Sequence, residues 1–285
     1  MPSLIDIRRR IRSVKNTQQI TRALKMVSAA KLRRAQNRVI AARPYAQSLR
    51  ELLENVAAAA AGDPDLAGSP LLANREEKRV QLILMTSDTG RAGAFNSTLT
   101  RGAEKFYEEH QGEQELIAVG RKGRDYFRRR LRPIAGEYIG VLGKATHADA
   151  AGIARETIRR FRDGEIDSVY LIYNEFKSVM TQKLTMIKVL PVELPEKKET
   201  RDYIFEQPPL EMLERLLPRY IETTIFRGML ETTAAEHAAR MTAMDAATKN
   251  AGDVIDHLTL TMNRARQAAI TKEIIEVVSG SAALD

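Results

Sequence analysis

The sequence predicts an α/β fold in which two long terminal helices pair as an antiparallel coiled coil and a mostly parallel α/β domain is inserted between them. Heptad spacing near the C-terminus and a long apolar stripe near the N-terminus indicate the paired helices. Between them, short β-branched runs alternate with helical patterns. We therefore expect a helix over 1–62, the inserted α/β domain over 63–208, and a second helix over 209–285.

The C-terminal helix is predicted from a 3-4-3-4 spacing of apolar or small residues, which is typical of a coiled-coil seam. No proline interrupts residues 240–285, and the single Gly252 does not stop a helix. Pro209 suits a first-turn position, so we expect the helix to begin there and to exceed about 60 residues. The predicted seam positions are Met241, Met244, Thr248, Ala251, Ile255, Leu258, Met262, Ala265 and Ala269.

The N-terminal helix is predicted over residues 3–60, with Ser3 as N-cap and Asp6 favourably placed for the helix dipole. We expect its apolar stripe to slip in phase near Gln18, as in a stutter, and Pro44 to kink the helix or to break it locally. The stripe comprises Leu4, Ile7, Ile11 and Val14, then Ile20, Leu24 and Val27 after the slip, and then Leu32, Ala35, Val39, Ala42, Ala46, Leu49, Leu53 and Val56.

Strands and helices alternate along residues 78–195, which predicts a mostly parallel sheet with helices on both faces. Apolar and polar residues alternate in the last predicted strand, which is typical of a hairpin or a sheet edge. The predicted strands are Arg79–Thr86, Glu115–Gly120, a short extended segment at Glu137–Val141, Ser168–Asn174 and Leu184–Pro191. The predicted helices are Asn96–Glu109, Gly123–Arg130 and His147–Phe161.

The terminal helices are long enough to need partners. At about 1.5 Å per residue they would extend for roughly 85 Å and 100 Å. Such helices are unstable alone, so the economical arrangement pairs them antiparallel, with the α/β domain at one end. A two-helix rod buries little apolar area compared with a globule, so we expect part of it to need a surrounding protein sleeve.

The net charge of +8 is concentrated in residues 1–60, which hold 13 lysines and arginines against Asp6, Glu51 and Glu54. A basic arm of this kind faces nucleic acid, anionic lipid or an acidic protein, unless it is simply a solvated helix face. No aromatic residues interleave with the basic clusters, which disfavours nucleic acid.

Composition excludes several classes of function. The absence of cysteine excludes disulfides, thiol catalysis and cysteine-ligated zinc. The four histidines have no metal-ligand spacing, and no G-x-S-x-G or H-E-x-x-H motif is present. No apolar run reaches the roughly 18 residues of a membrane span, and no signal peptide opens the chain. We expect no catalytic residues, metal or cofactor.

The stretch SDTGRAGAFN, residues 87–96, follows a strand and opens a helix, which is the placement of a phosphate-binding turn. It has only Gly90 and Gly93, and no G-K-[ST] follows. We interpret it as a tight turn that docks the α/β domain on the coiled coil. A nucleotide site is the alternative.

The stretch NRARQAAITKE places Arg266 and Gln267 on an alanine-rich helix, with Thr271 on the same face as Gln267. Polar side chains on so slim a helix suit hydrogen bonding to a surrounding protein, although a solvated face is the alternative. The final residues, IIEVVSGSAALD, are apolar on several sides, and an apolar terminal patch indicates a partner.

Four stretches of the chain resemble the gamma subunit of rotary (F-type) ATP synthases. They are RSVKNTQQITRALKMVSAAKLRRA, AARMTAMDAATKNAGDVIDHLTLTMNRARQAAITKEIIEVVSG, NEFKSVMTQ, and SDTGRAGAFN, which is similar to the family's S-D-R-G-L-C-G-G-F-N. The resemblance implies a coiled coil that rotates inside a ring of alternating alpha and beta subunits. It also implies a Rossmann-like domain next to the epsilon subunit and the membrane ring of c subunits, with one copy of the chain per complex.

The resemblance also implies roles for particular residues. Arg266, Gln267 and Thr271 would meet a catch loop of a beta subunit, with Leu24, Lys25 and Met26 on the opposing helix at that level. The basic arm would face an acidic lever of the beta subunits. The arginines of this arm are Arg8, Arg9, Arg10, Arg12, Arg33 and Arg34.

The chain is therefore expected to couple ion translocation to ATP synthesis or hydrolysis by rotation, without catalysing a reaction itself. No transit peptide is recognisable, which favours a bacterial complex on the cytoplasmic face of the plasma membrane. Thr89, Arg91, Ala92 and Ala94 depart from the family turn, which leaves the role of that turn open. A nucleotide-binding α/β enzyme and a basic coiled-coil scaffold for nucleic acid or lipid remain alternatives.

Overall fold

The structure, a computed structural model, describes residues 3–60, 63–194 and 206–282. Its helices are α1 (Leu4–Ala60), α2 (Phe95–Glu109), α3 (Arg121–Arg128), α4 (His147–Arg162) and α5 (Pro209–Ala282). Its strands are β1 (Arg79–Met85), β2 (Glu113–Val119), β3 (Ile134–Tyr138), β4 (Ser168–Phe176) and β5 (Gln182–Leu190). Short 3₁₀ turns occupy Pro64–Gly68 and Leu142–Lys144.

The chain divides into two compact units. The smaller unit comprises residues 1–28 with 241–285, and the larger comprises residues 29–240. The domain boundaries expected at 62/63 and 208/209 remain a prediction. Within the described residues, no helix is both long enough and apolar enough to cross a membrane.

The larger unit is built on a five-stranded sheet with the strand order β3-β2-β1-β4-β5. The first four strands in this order run parallel, and β5 pairs antiparallel with β4 at the edge. The predicted parallel sheet and its hairpin edge are therefore confirmed. The extended segment expected at Glu137–Val141 is displaced: the strand is Ile134–Tyr138, which shares only Glu137 and Tyr138 with the expected range.

Helices cover both faces of this sheet, as the alternating pattern predicted. On one face Ile83 of β1 and Leu171 of β4 join the core formed with α1, α4 and α5. On the other face the backbone of α3 at Gly123 approaches Leu84. On that same face, the ring of Phe106 in α2 lies 5.0 Å from the ring of Tyr170.

Within the larger unit, α5 presents a fully buried row of residues at four-residue spacing. The row comprises Leu213, Leu217, Ile221, Ile225 and Met229. Gly228 lies beside this row, and a Cβ atom there would lie 3.1 Å from Leu171 and 3.2 Å from the sulfur of Met85. The missing side chain lets α5 approach the sheet closely, so this stretch of α5 is part of the core.

The start of α1 is capped as predicted. The amide of Asp6 donates to the Ser3 hydroxyl at 3.2 Å, and the amide of Ser3 donates to the Asp6 carboxylate at 3.4 Å. These reciprocal bonds satisfy amide groups that have no partner inside the helix. Further along, α1 remains α-helical on both sides of Pro44, so the helix is not broken there.

Candidate partner-binding surfaces

In the smaller unit, α1 and α5 pair antiparallel. The ammonium group of Lys25 bonds the carboxylate of Asp245, and the hydroxyl of Thr248 donates to that of Thr21 at 2.8 Å. Gln18 lies beside Gly252, where a Cβ atom would be 3.3 Å from the Gln18 amide nitrogen. Residue numbers therefore decrease along α1 as those of the facing residues increase along α5, and the predicted antiparallel pairing is confirmed.

The seam of α1 keeps a regular heptad spacing, so the predicted phase slip is wrong. Thr21 and Ser28 are buried, whereas Ile20 is 58% exposed and Val27 is 51% exposed. These polar side chains are tolerated at the seam because their hydroxyls are hydrogen-bonded: that of Thr21 accepts from Thr248 across the seam, and that of Ser28 donates to the carbonyl of Leu24 on its own helix. The seam of α1 in this unit comprises Leu4, Ile7, Ile11, Val14, Gln18, Thr21, Lys25 and Ser28.

The seam of α5 follows the predicted spacing. All nine predicted positions from Met241 to Ala269 are buried or half-buried, and Met244 and Ala251 are the most enclosed of them. Residues between them, such as Lys249 and Asp253, are exposed. The heptad pattern therefore identified the paired face of α5 correctly.

The last turns of α5 extend past the start of α1. Lys25 faces Asp245 and Gln18 lies beside Gly252, so the same register places Leu4 near Arg266. Residues 267–282 of α5 therefore have no counterpart on the described part of α1. This end carries exposed apolar side chains at Ile270, Ile274, Ile275 and Val277.

The register corrects one expectation about the candidate contact residues. Arg266, Gln267 and Thr271 are exposed and border the apolar side chains of the helix end. However, Lys25 faces Asp245, which lies 21 residues before Arg266, or about 30 Å along the helix. Leu24, Lys25 and Met26 therefore do not lie opposite the other three residues. Of this group Leu24 is half-buried, Lys25 is held by Asp245, and Met26 is 69% exposed.

The arginines of the basic arm are all exposed. Elsewhere on the chain arginines are commonly engaged, as Arg50 is with Glu54 at 2.9 Å. None of the six makes an ion pair or a side-chain hydrogen bond with any residue that the structure describes. Their charge is thus available to an acidic partner. The six are Arg8, Arg9, Arg10 and Arg12 in the smaller unit, and Arg33 and Arg34 in the larger unit.

In the larger unit, the turn after β1 is organised by Asp88. Its carboxylate accepts from the amide of Arg121 at 3.0 Å and from the amide of Gly140 at 3.1 Å. The side chain of Asn96 accepts from the amide and the hydroxyl of Ser87, each at 3.0 Å. The Asp88 carboxylate therefore occupies the Arg121 amide at the start of α3, a donor that could otherwise bind a phosphate.

The same turn is tied to α5 by Arg240. Its guanidinium donates to the hydroxyl of Thr89 at 2.7 Å and to the carboxylate of Glu236. This contact agrees with our interpretation of residues 87–96 as a docking turn. Sequence reasoning missed Arg240 because its partner Thr89 is distant in the chain, and no local pattern marks it.

Two neighbouring titratable groups on α5 are perturbed by burial. Desolvation by burial, together with the positive charges of Arg240 and Lys31, lowers the pKa of His237 to about 4. Desolvation raises the pKa of Glu236, although Arg240 acts against this shift. His237 is therefore neutral near pH 7 and packs beside the Arg240 guanidinium, 3.4 Å away.

Comparison with known proteins places the whole chain in one family. The family model described as ATP synthase matches residues 3–284. An ATP synthase gamma chain of Solibacter usitatus is 63% identical over 286 residues, covering all of both chains. The chain belongs to the ATP synthase gamma-chain family. A gamma chain of Pelotomaculum thermopropionicum is 52% identical over 288 residues, again covering both chains completely.

Solved structures share the fold of this gamma-family chain. A chain of the Euglena gracilis mitochondrial ATP synthase has a TM-score of 0.69 at 17% identity, covering 99% of this chain and 94% of its own length. A chain from the Tetrahymena thermophila mitochondrial ATP synthase central stalk and c-ring has a TM-score of 0.62 at 24% identity. It covers 80% of this chain and 99% of its own length.

Sequence reasoning missed part of the exposed surface of this gamma-family chain. Ile20 and Val27 were assigned to the seam, yet they lie on the outer face of α1, seven residues apart and hence on one side of the helix. Ile5 is exposed on the same helix. An unbroken heptad count from Leu4 places Gln18 and Thr21 in the seam. It therefore leaves Ile20 and Val27 outside the seam, on the exposed face of α1.

Proposed function

We propose that this chain is the central-stalk rotor subunit of a bacterial F-type ATP synthase. Its rotation would couple ion translocation in the membrane sector to ATP synthesis or hydrolysis in the catalytic head. The observation that carries this proposal is the set of exposed apolar side chains near the end of α5, where this helix passes the start of α1; they are Ile270, Ile274, Ile275 and Val277. Such an end is costly in water and suits an apolar bearing formed by other chains.

The proposed partners are the alpha and beta subunits of the head, the epsilon subunit and the ring of c subunits. Support comes from gamma chains that are related over their whole length. Further support comes from the fold shared with chains of the Euglena gracilis F1 and c-ring assembly and of the Tetrahymena thermophila central stalk and c-ring. The complex would be membrane-associated, and we place it on the cytoplasmic face of the plasma membrane. One copy of the chain would serve each complex.

The mechanism we propose is purely mechanical. A rotor shifts nucleotide affinity at a surrounding site only if it contacts the different conformations of that site unequally. Arg266, Gln267 and Thr271 would donate hydrogen bonds to one beta subunit at a time, beside the apolar helix end. The free arginines of the basic arm would attract the acidic lever of the beta subunits as it passes. The chain would supply no catalytic group.

Leu24, Lys25 and Met26 would act at a different level from Arg266. Met26 is the member of the three that is free to contact a partner, because its side chain is largely exposed. Lys25 would instead hold the register of the shaft through Asp245. We therefore propose two separate contact levels along the paired helices.

The sharpest test is the double variant Arg266→Ala, Gln267→Ala in the assembled ATP synthase that carries this chain. We expect weaker assembly, or a loss of ATP synthesis driven by an ion gradient, with unchanged nucleotide affinity of the catalytic head. The matched control is Asn250→Ala, Asp253→Ala, an exposed pair on the same helix.

Normal assembly and normal ATP synthesis by the double variant would contradict the assignment of Arg266 and Gln267 as contact residues. The rotor function itself is tested by co-purification. A native preparation in which this chain is not held, as one copy, in a large ATPase ring would contradict the proposal.

A further inference from the structure

A cavity of about 790 Å³ lies in the larger unit, between α1, α5 and the end of β4. This volume is within the usual range of ligand pockets. A second cavity, of about 440 Å³, shares several lining residues with it. The residues common to both are Ala46, Arg50, Thr223 and Arg227.

The cavity exists because the apolar stripe of α1 is underfilled at this level. Val39 and Leu49 are almost fully buried, whereas Ala42 and Ala46 between them are only half-buried. Alanine leaves space that a leucine would fill, and Pro44 has no amide hydrogen to donate to the carbonyl of Ile40. The two helices therefore leave a gap here instead of closing on each other.

The inner wall of the cavity is apolar. Val39, Phe176 and Leu230 are buried side chains of the lining, and Phe226 is half-buried. The buried hydroxyl of Thr223 has no hydrogen-bond partner among the described residues. An apolar surface with a few polar groups is typical of sites for small organic molecules.

The mouth of the cavity carries an excess of positive charge. Four cationic residues line it, against the carboxylates of Glu175 and Glu231. The four cations are Arg43, Arg50, Lys177 and Arg227.

Two of these arginines have unused hydrogen-bond donors. Lys177 is paired with Glu175 at 2.7 Å, and Arg50 with Glu54 at 2.9 Å. Arg43 makes no ion pair or hydrogen bond within the described residues, and Arg227 is 3.8 Å or more from its nearest carboxylates. A guanidinium group with free donors binds carboxylate and phosphate groups well.

We propose that this cavity binds an anionic amphiphile, a molecule with a carboxylate or phosphate head group on an apolar chain. The head group would lie at the mouth, against Arg43 and Arg227. The chain would lie along Ala42, Ala46 and Leu230, where its burial releases water from an apolar surface. The buried carboxylate of Glu231 would compete little with the head group for Arg227, because its Oε1 lies 3.9 Å from that guanidinium and its Oε2 accepts from the backbone amide of Phe176 at 3.0 Å.

The test uses the purified full-length chain with decanoate and decyl phosphate, each below its critical micelle concentration. Titration calorimetry should show saturable binding of one molecule per chain, and the two probes separate a fatty-acid head group from a phosphate one. Neutral decyl maltoside should not bind. Arg43→Gln and Arg227→Gln should each weaken binding about tenfold, which corresponds to ~1.4 kcal/mol.

Two further variants make the test specific. Ala46→Leu fills the cavity and should weaken binding of both anionic probes without removing a charge. Arg22→Gln, at an exposed arginine of the smaller unit, is the matched control and should leave binding unchanged. Circular dichroism of each variant establishes that it is folded.

The proposal is overturned by any of three outcomes. They are no saturable binding of either anion at millimolar concentration, equal binding of the neutral probe, or unchanged binding in all three cavity variants. Binding of ATP but not of the decyl probes would also overturn it, since the site would then recognise a nucleotide.

Discussion

The ammonium nitrogen of Lys25 lies 2.5 Å from a carboxylate oxygen of Asp245, across the paired terminal helices. Lys25 occupies a seam position that an apolar residue would ordinarily fill. Lys249, one turn further along α5, approaches the same carboxylate at 3.2 Å. Because a polar seam pair is satisfied in only one alignment, this contact favours the observed register over its neighbours.

The first prediction concerns the pKa of Asp245. It lies below the ordinary value of 3.8, mainly because Lys25 donates a hydrogen bond to the ionised carboxylate and Lys249 donates another. We expect Lys25→Met to raise this pKa toward 3.8, measured by carbon-13 NMR titration of the carboxyl group. The stabilisation from a depressed pKa is present above pH 3.8 and is lost as the pH falls through the folded pKa. The stability difference between wild type and variant should therefore narrow in acid.

The control is Lys249→Met, which removes the second donor and should raise the pKa less. An unchanged Asp245 pKa in Lys25→Met would contradict the pairing seen in the structure.

The second prediction concerns stability in mild acid. His237 is buried and its pKa is lowered from 6.5 to about 4. A His with a lowered pKa favours the folded state above pH 6.5, and this contribution falls as the pH drops from 6.5 to 4. The loss is about 3 kcal/mol in total by linkage, since one pKa unit is worth about 1.4 kcal/mol.

We expect His237→Gln to lose less stability between pH 6.5 and 4 than wild type, measured by urea denaturation at several pH values. Glu236 contributes with the opposite sign, because burial raises its pKa and protonation then favours the folded state. Glu236 is present in both proteins, so the difference between them isolates His237. Parallel pH profiles would refute the assigned shift.

The third prediction concerns Gly120, at the end of β2. Its φ angle is 105°, and a Cβ atom there would lie 1.9 Å from the carbonyl oxygen of Thr86. Gly120→Ala should therefore cost roughly 3 kcal/mol in the free energy of unfolding, from backbone strain and displacement of β1. Thermal or chemical denaturation of the full chain measures this cost.

The matched control for Gly120 is Gly152 inside α4, where a Cβ atom would meet nothing within 4 Å. Gly152→Ala should stabilise the protein by about 0.5–1 kcal/mol, because alanine restricts the unfolded chain and favours the helix. Equal destabilisation by both substitutions would mean that the close approach at Gly120 is not the cause.

The sequence predicted most elements because their patterns are local. The spacing from Met241 to Ala269 specifies one face of α5, and the apolar run of β1 specifies a strand buried on both faces. The antiparallel pairing followed from the length of two helices that are unstable alone. In these cases the local sequence is sufficient to predict the element.

The parts that were missed depend on contacts between distant residues. Thr21 is accepted in the seam because Thr248 bonds it, and Arg240 anchors the turn because Thr89 accepts from it. From sequence alone, a polar residue is assigned to the solvent-exposed face unless its hydrogen-bond partner is known. Lys25 was expected opposite Arg266 for the same reason, since only its pairing with Asp245 reveals the register of the two helices.

The fourth prediction separates the two possible seams of α1. Ile7 is 4% exposed and Ile20 is 58% exposed, although both are isoleucines on the same helix in the same unit. Ile7→Ser should cost about 3 kcal/mol, because it removes buried methyl groups and buries a hydroxyl. Ile20→Ser should change stability by no more than about 0.5 kcal/mol, as for other exposed positions. Urea denaturation followed by helical circular dichroism measures both.

If Ile20→Ser lost as much stability as Ile7→Ser, Ile20 would have to lie in the seam. That result would support the predicted phase slip and contradict the observed register. If Ile20→Ser is as stable as wild type, the same variant becomes a probe of the outer face. In the assembled complex, a fall in ATP synthesis without a loss of stability would then mean that Ile20 contacts a surrounding subunit. Because an exposed apolar side chain contributes little to the isolated chain, this variant can separate binding from folding.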